Sequence, residues 1–378
     1  MARDIALYVH VPFCRRKCPY CSFVSYDDRG ADISLYLSAL KKELIRRTGG
    51  EHVRSIYFGG GTPSLLPAQY IGDLLSAASS LFTLDEAAEI TIEANPGTIN
   101  RAYLTAIREL GVNRLSLGVQ SLNDNELALL GRIHTAAEAR DARDDARSSE
   151  IDNLNIDLIY GLPGQTLSDW HHTLDETIAM EPEHLSLYAL TLETETPMWR
   201  TLKEGSLPDI DPDLSADQYE LAEDMLASHS YGHYEISNWA RQGRECRHNL
   251  IYWRNLPYLG VGVAAHSYLE GHRLANTKSL DKYLANFSVK SAPVPEMDED
   301  ISPEMDLAET AILGLRLCEG INTEDMQSRF GVDILVYYRR QVVEMTDAGL
   351  LERTGKQLKL TRRGRLLSNE VFWRFLPE

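Results

Sequence analysis

The run Ile5-Ala-Leu-Tyr-Val-His-Val-Pro-Phe-Cys14-Arg-Arg-Lys-Cys18-Pro-Tyr-Cys21 begins as an apolar strand and ends in a loop that carries three cysteines. Their spacing is Cys-x3-Cys-x2-Cys. Because thiolates are soft ligands that favour iron–sulfur chemistry, three of them on one short loop predict three ligands of a 4Fe–4S cluster. The fourth iron would then lack a cysteine and stay open to a small molecule.

Zinc and disulfide bonds are the two other common uses of clustered cysteines. Structural zinc sites usually take four ligands in spaced pairs, and no such Cys or His pair follows nearby. An odd set of cysteines crowded into eight residues has poor geometry for disulfides. The basic neighbours Arg16 and Lys17 are expected to help keep the thiols ionised.

Six strand-like runs alternate with helical runs over the first half of the chain. The predicted strands are Ile5–Val11, Ser55–Phe58, Glu89–Ala94, Arg114–Val119, Leu154–Ile159 and His184–Leu190. The predicted helices between them are Ile33–Arg47, Ala68–Leu81, Arg101–Leu110, Ala136–Ser148 and Ser168–Met180. This alternation predicts an α/β fold with a parallel sheet. Six units are too few for an eight-unit barrel, so we expect a partial (β/α)6 TIM-like barrel with its cleft at the carboxyl ends of the strands.

The chain as a whole divides into three predicted parts. Residues 1–290 would form the barrel and its extension, in which Asn249–Gly271 is expected to form strands and turns rather than a helix. Residues 291–303, rich in proline and acidic side chains, predict a linker. Residues 304–378 predict a small α+β domain of winged-helix type, whose acidic surroundings favour packing or docking over DNA binding.

Polar residues stand at the ends of the predicted strands. Gly60, Gly61 and Thr62 follow the second strand, where glycines let a ligand approach the backbone closely. Glu93, Gln120 and Asp157 lie at or near the ends of the third, fourth and fifth strands. Each could belong to a satisfied internal network. Their convergence on one cleft would favour a ligand that carries amines and hydroxyls.

Composition excludes several classes of function. The formal net charge of −18 disfavours nucleic acid and anionic membrane surfaces as partners. No apolar run reaches 18 residues, and no secretory signal precedes the first strand, so we expect no transmembrane segment. Unpaired cysteines and the absence of a targeting segment predict a cytoplasmic location.

Taken together, these motifs resemble a known family. The cysteine loop is similar to the signature of the radical S-adenosylmethionine (SAM) superfamily, and the wider pattern resembles its HemN-like group, which contains oxygen-independent coproporphyrinogen III oxidases and haem chaperones. The segments that carry the resemblance are Tyr8–Cys14, Tyr57–Pro63, Glu93–Pro96, Asn113–Ser121 and Asn155–Pro163. They span most of the barrel, and the resemblance extends into the C-terminal domain.

The resemblance implies roles for individual residues. Cys14, Cys18 and Cys21 would hold the 4Fe–4S cluster, whose open iron would bind SAM. The positions that match SAM-contacting residues of the family are Tyr8, Tyr20, Gly60, Gly61, Thr62, Glu93, Gln120, Arg132 and Asp157.

Two departures separate the chain from the oxidases of the group. The oxidases carry a further cysteine two residues after the third, where this chain has Phe23. They also carry a longer segment ahead of the cluster loop, whereas thirteen residues precede Cys14 here.

A second motif, Cys246-Arg-His248-Asn-Leu-Ile-Tyr252-Trp253, resembles the His-Asn-x-x-Tyr-Trp run of the haem chaperones. The resemblance implies that His248 binds haem, since a neutral imidazole is a suitable axial ligand for haem iron. Cys246 is a second candidate, although an inert thiol is favoured, and His266 is a weaker one. Cys318 is expected in the core of the C-terminal helices.

The resemblance therefore implies a haem chaperone that carries a 4Fe–4S cluster and SAM and passes haem to haem-accepting proteins, membrane-bound ones included. A homodimer is left open. Coproporphyrinogen III oxidation and radical SAM methyl transfer are the competing enzymatic functions. A transcription factor built on the C-terminal domain is the competing function without catalysis.

Overall fold

A parallel sheet of six strands forms the centre of the fold. The computed structural model describes residues 3–269, 271–288 and 294–377. The six parallel strands are β1 (Asp4–Val11), β2 (His52–Gly60), β3 (Thr83–Ala94), β4 (Arg114–Gln120), β5 (Leu154–Tyr160) and β6 (His184–Ala189). Nearly every residue of β4 and β5 is buried, as expected for parallel strands covered on both faces.

Helices connect successive strands of this sheet. They are α1 (Ile33–Arg47), α2 (Ala68–Leu81), α3 (Arg101–Glu109), α4 (Asp124–Leu129), α5 (Ala136–Ser148) and α6 (Leu167–Ala179). Thr135 and Thr166 begin α5 and α6 with capping boxes, in which each threonine hydroxyl accepts a backbone N–H and an acidic side chain accepts the N–H of the cap. The predicted six-unit α/β architecture is confirmed.

Further strands extend the sheet on both sides. They are β7 (Gly232–Glu235), β8 (Asn238–Ala240), β9 (Tyr258–Val261), β10 (His266–Leu269), β11 (His272–Ala275) and β12 (Met297–Asp300). The order is β12-β11-β10-β9-β1-β2-β3-β4-β5-β6-β8-β7, with β9 parallel to β1 and the outer strands antiparallel. The helices of this extension include α7 (Pro197–Lys203), α8 (Pro212–Ser228) and α10 (Leu280–Ser288). Since β12 and β7 stand at opposite ends of this order, the barrel is open in the described part of the chain.

The segment predicted to form only strands and turns contains a helix, α9 (Arg247–Trp253). The residue that stabilises the start of this helix lies far away in the sequence. The buried carboxylate of Glu89 on β3 accepts the backbone N–H groups of Arg247 (3.1 Å) and His248 (3.0 Å) and so satisfies two groups that a helix start leaves unpaired. A tertiary contact thus overrides the weak helix propensity of this aromatic run, and the expectation of no helix is wrong.

A smaller unit follows the large sheet. Its elements are α11 (Pro303–Leu315), β13 (Ile321–Asn322), α12 (Thr323–Phe330), α13 (Ile334–Tyr337), α14 (Arg339–Asp347), β14 (Leu351–Thr354), β15 (Gln357–Leu360), α15 (Arg362–Leu366) and α16 (Ser368–Phe375). The strands form a three-stranded sheet that shares an apolar core with the helices. Cys318 lies in the turn after α11 and is half-buried, rather than inside a helix.

The predicted linker coincides only in part with irregular chain. Its residues 291–293 lie outside the described residues, and residues 297–300 form β12, which pairs with β11. None of the described helices combines the length and the apolar composition that crossing a bilayer requires.

Candidate functional site

A cavity of about 390 Å³ opens at the carboxyl ends of the parallel strands. We call it the cluster cavity, because the thiols of Cys14, Cys18 and Cys21 line it. Eight of the nine predicted SAM residues line it as well: Tyr20, Gly60, Gly61, Thr62, Glu93, Gln120, Arg132 and Asp157. The fold therefore brings the cysteine loop and the strand ends together, as their positions in the sequence predict.

Two polar side chains hydrogen-bond to the thiols. The Thr62 hydroxyl lies 3.7 Å from Cys14 Sγ, and Nη1 of Arg132 lies 3.6 Å from Cys18 Sγ. Within the described residues no three side chains of His, Cys, Asp and Glu lie close enough together to hold one metal ion. Three soft thiols at the wall of one cavity, each with a different set of neighbours, suit a cluster in which each thiolate takes its own iron.

Burial outweighs the help that the basic neighbours were expected to give to the ionisation of two of these thiols. Burial raises the pKa of both Cys14 and Cys21, and the charge of Lys17 opposes this only weakly. The Lys17 ammonium donates to the Phe23 carbonyl (3.1 Å), and Arg16 donates to carbonyl oxygens of the loop after α4. Both basic side chains therefore fasten the loop, and metal binding would have to drive the loss of the thiol protons.

Glycine is required where β2 passes the cysteine loop. Gly60 has a φ of 118°, and a Cβ there would lie 2.6 Å from the His10 ring. At Gly61 a Cβ would lie 2.8 Å from the Phe13 carbonyl oxygen and 3.0 Å from Cys14 Sγ. The backbone of Gly60 and Gly61 therefore lies against the loop with no room for a side chain. The main-chain groups of these glycines stay accessible from the cavity.

Two carboxyl groups lie deeper in the cluster cavity. Glu93 accepts hydrogen bonds from the Tyr57 hydroxyl (2.8 Å) and the Gly60 amide (3.1 Å). Asp157 accepts from Asn155 Nδ2 at 2.8 Å and the Ser116 hydroxyl at 3.1 Å. Burial and the proximity of Asp157 raise the pKa of Glu93 to about 7, and burial raises the pKa of Asp157. This pair would attract a cation or a hydroxyl-rich group.

Arg132 joins the cysteine loop to the strand ends. Besides Cys18, its guanidinium donates to Asn95 Oδ1 and to the Gly118 carbonyl oxygen (2.6 Å). Gln120 lies beside this group in the left-handed conformation, with φ at 72°. Its side-chain oxygen has no hydrogen-bond partner among the described residues, so it is available to a ligand.

Several cavity residues were not predicted. They are Asn95, Arg114, Ser116, Asn155, Ser186, Tyr188 and Asn249. Arg114 is the most unusual of them, because its side chain is only 2% exposed and its Nε has no hydrogen-bond partner among the described residues. Arg114 opens a strand whose other residues are all uncharged, and this single charge was a visible signal of an inward-facing cation.

Two predicted ligand residues lie outside the cluster cavity. Tyr8 lines a neighbouring cavity, and its hydroxyl bonds to His10 Nδ1 at 3.0 Å. His248 lines neither cavity and is 1% exposed. Its Nδ1 bonds to the Ser55 hydroxyl and its Nε2 to the Tyr252 hydroxyl, both at 2.9 Å. Iron could reach neither nitrogen without breaking one of these bonds, so haem binding by His248 stays a prediction.

The other candidate residues also have defined surroundings. Cys246 is fully buried, and burial raises the pKa of its thiol to about 12, which suits an inert thiol. His266 is exposed and lines the same neighbouring cavity as Tyr8.

Two domain families match the chain. The Radical SAM superfamily matches residues 8–177, and the HemN C-terminal domain matches residues 301–367. Among solved structures, coproporphyrinogen III oxidase (HemN) from Escherichia coli, described as a radical SAM enzyme, is 26% identical, with a TM-score of 0.87. That match covers 99% of this chain and 90% of the other.

Curated relatives narrow the family. "Heme chaperone HemW" of Bacillus subtilis (strain 168) is 32% identical over 375 residues, which cover 98% of this chain and 99% of the relative. The chain belongs to the HemW family of the radical SAM superfamily. A HemW of Synechocystis sp. is 39% identical over 333 residues, covering 85% of this chain and 80% of the relative. A radical SAM family implies a 4Fe–4S cluster and SAM, and the donor set of the cluster cavity suits both.

Proposed function

We propose that this protein is a haem chaperone: it binds haem, carries a 4Fe–4S cluster with SAM, and passes haem to haem-requiring proteins. One observation carries the proposal. The similarity to relatives named for this function runs from end to end, through the barrel, the His248-Asn249 segment and the C-terminal unit. A shared barrel alone would support only a shared fold.

In this proposal Cys14, Cys18 and Cys21 would hold the cluster, which would supply the electron that reductive cleavage of SAM requires in this superfamily. The main-chain groups of Gly60 and Gly61 lie where a ligand can approach the backbone, and the two half-buried carboxyl groups of Glu93 and Asp157 suit the ammonium and ribose hydroxyls of SAM.

Tyr20, Thr62, Gln120 and Arg132 complete the proposed SAM site. Thr62 and Arg132 already hydrogen-bond to the cysteine thiols, so their role would be to position the cluster against SAM. Gln120 offers an acceptor oxygen without a partner in the described part of the chain.

Coproporphyrinogen III oxidation is the second candidate function, because the HemN oxidase shares the whole fold. Phe23 disfavours this oxidase function, because it occupies the position of the additional cysteine of the oxidases. The Phe23 side chain is 69% exposed and lines the cluster cavity. No residue in the described part of the chain specifically favours radical SAM methyl transfer.

A cytoplasmic location, haem acceptors that include membrane-bound proteins, and a homodimer belong to the proposal as predictions. Five unpaired cysteines suit a reducing compartment.

Transfer of haem to an acceptor tests the function. Full-length protein, reconstituted anaerobically with its cluster and loaded with one haem, would be mixed with apomyoglobin and followed by the Soret band. We expect the donor spectrum to give way to the myoglobin spectrum. A loaded protein that keeps its haem under excess apomyoglobin would contradict a chaperone function, and failure to load at all would contradict haem binding.

A further inference from the structure

A second cavity, of about 770 Å³, adjoins the cluster cavity. Its volume lies within the range of roughly 300–1,000 Å³ that is usual for organic ligands. Its walls come from β1, the cluster loop, α9, the strands β9 to β11, and α11. Most of the wall is apolar or aromatic, and the aromatic residues in it are Tyr8, Phe23, Tyr252, Trp253 and Tyr258. A large ligand with flat apolar faces would suit such walls.

Two histidines line this cavity, and they differ in availability. The ring of His10 uses both nitrogens, Nδ1 with the Tyr8 hydroxyl and Nε2 with the Val24 carbonyl oxygen at 2.9 Å. His266 is exposed, and its ring makes no hydrogen bond with any described residue. Both ring nitrogens of His266 are therefore free of protein partners among the described residues, and a neutral imidazole is a common metal ligand.

Among the described residues, Arg273 and Lys278 are the two cations that line the same cavity, and they differ in their ion pairing. Arg273 forms a bidentate ion pair with Glu309, with both N–O distances at 2.7 Å. The Lys278 ammonium has no carboxylate within ion-pair distance among the described residues. An unpaired ammonium among the residues that line a mostly apolar cavity would attract an anionic group on a ligand.

We propose that the second cavity binds haem, with the imidazole of His266 as a ligand to the iron and Lys278 as the partner of a propionate, an assignment that rests on the proposed haem-binding function. The aromatic walls take the faces of the porphyrin, the imidazole takes the iron, and the ammonium takes a carboxylate. These are the three chemical features of haem, and one cavity offers a group for each.

This assignment gives the His248 motif a different role. Tyr252 and Trp253 form part of the cavity wall, and the Tyr252 ring packs edge-on against Tyr258 with centroids 4.7 Å apart. His248 does not line the cavity itself, and its Nε2 hydrogen-bonds to the Tyr252 hydroxyl at 2.9 Å. His248 is therefore a positioning residue: it orients the wall that the porphyrin contacts.

The two cavities share part of the cluster loop. Ser22 and Phe23 line both of them. A haem in the second cavity would therefore contact the loop that carries the cluster ligands, and Phe23 would separate the two sites.

Haem titration of single variants tests the assignment. His266→Ala would be compared with wild type and with His171→Ala, which removes an exposed histidine of α6 that lines neither cavity. We expect His266→Ala to weaken haem binding about tenfold or more and to lose the imidazole signature in resonance Raman spectra. His171→Ala should match wild type. Lys278→Glu should also weaken binding of haem, and by less for a haem dimethyl ester, which lacks the carboxylates.

Rescue separates ligation from a folding defect. His266→Gly should regain the imidazole signature when free imidazole is added, as only the lost ligand is replaced. If wild type binds haem while His266→Ala binds it with unchanged affinity and spectrum, the assignment of His266 is wrong and the proposed function stands. If wild type itself takes up no haem, the proposed function fails.

Discussion

Replacing His248 should destabilise the protein before any haem is added. The ring is buried, and it joins the hydroxyls of Ser55 and Tyr252 through two hydrogen bonds of 2.9 Å. His248→Ala removes both bonds and leaves two hydroxyls without their partner. A hydrogen bond contributes about 1 kcal/mol, and a buried polar group left unpaired costs about 1–3 kcal/mol. The free energy of unfolding should fall by about 3 kcal/mol.

Urea unfolding of the haem-free protein at neutral pH measures this effect. Ser55→Ala and Tyr252→Phe each remove one bond and should cost about 1 kcal/mol each. His171→Ala, a change at an exposed position, should stay within about 0.5 kcal/mol of wild type. If His248→Ala unfolds at the wild-type midpoint and yet loses haem binding, His248 acts as a ligand and the structural role described here is wrong.

Acid provides an independent check on the same histidine. Burial lowers its pKa to about 3, so the unfolded chain takes up a proton below pH 6.5 that the folded chain refuses. Stability from this group is complete above pH 6.5 and is lost as the pH falls toward 3, by about 1.4 kcal/mol for each pH unit. His248→Ala should show a shallower acid loss than wild type over this range.

Three further changes have predicted outcomes. Glu89→Ala removes the acceptor that starts α9 and should lower the free energy of unfolding by about 2 kcal/mol. Glu89→Gln keeps one acceptor oxygen and should lower the free energy of unfolding by less. Urea unfolding of both variants measures the difference. Gly61→Ala places a Cβ 2.8 Å from the Phe13 carbonyl oxygen and should reduce the iron bound per chain after reconstitution, while wild-type iron content would contradict the tight contact. The Glu93 carboxyl has a pKa of about 7, so it becomes an anion as the pH rises through neutrality. Wild type should therefore gain more affinity for SAM between pH 6 and pH 8 than Glu93→Gln does, and calorimetry would measure both affinities. Equal gains in the two proteins would remove Glu93 from the SAM site.

Local patterns were sufficient for most of the fold. The bounds of α1, α2 and α5 agree with the sequence prediction, because each helix has its own apolar face and begins after a residue typical of helix starts, which short windows reveal: Asp32, Pro67 and Thr135. Helix α9 was missed, because Glu89 on a distant strand accepts the N–H groups that begin it. No short window contains that contact.

The candidate site was likewise predictable from the sequence only in part. The residues of the cluster cavity stand at strand ends, and parallel strands carry such residues to one edge of a sheet, so their convergence was predictable. The surroundings of His248 were not, because its partner Ser55 lies 193 positions earlier in the chain. The second cavity draws on residues from Tyr8 to Leu376, and its existence depends on the packing of the C-terminal unit against the sheet.

Anaerobic reconstitution followed by a haem titration in the presence of SAM and coproporphyrinogen III tests the central claim most directly. The proposed function predicts saturation at one haem per chain, with neither protoporphyrinogen nor S-adenosylhomocysteine formed. Protoporphyrinogen in a sample that takes up no haem would instead identify an oxidase and contradict the chaperone.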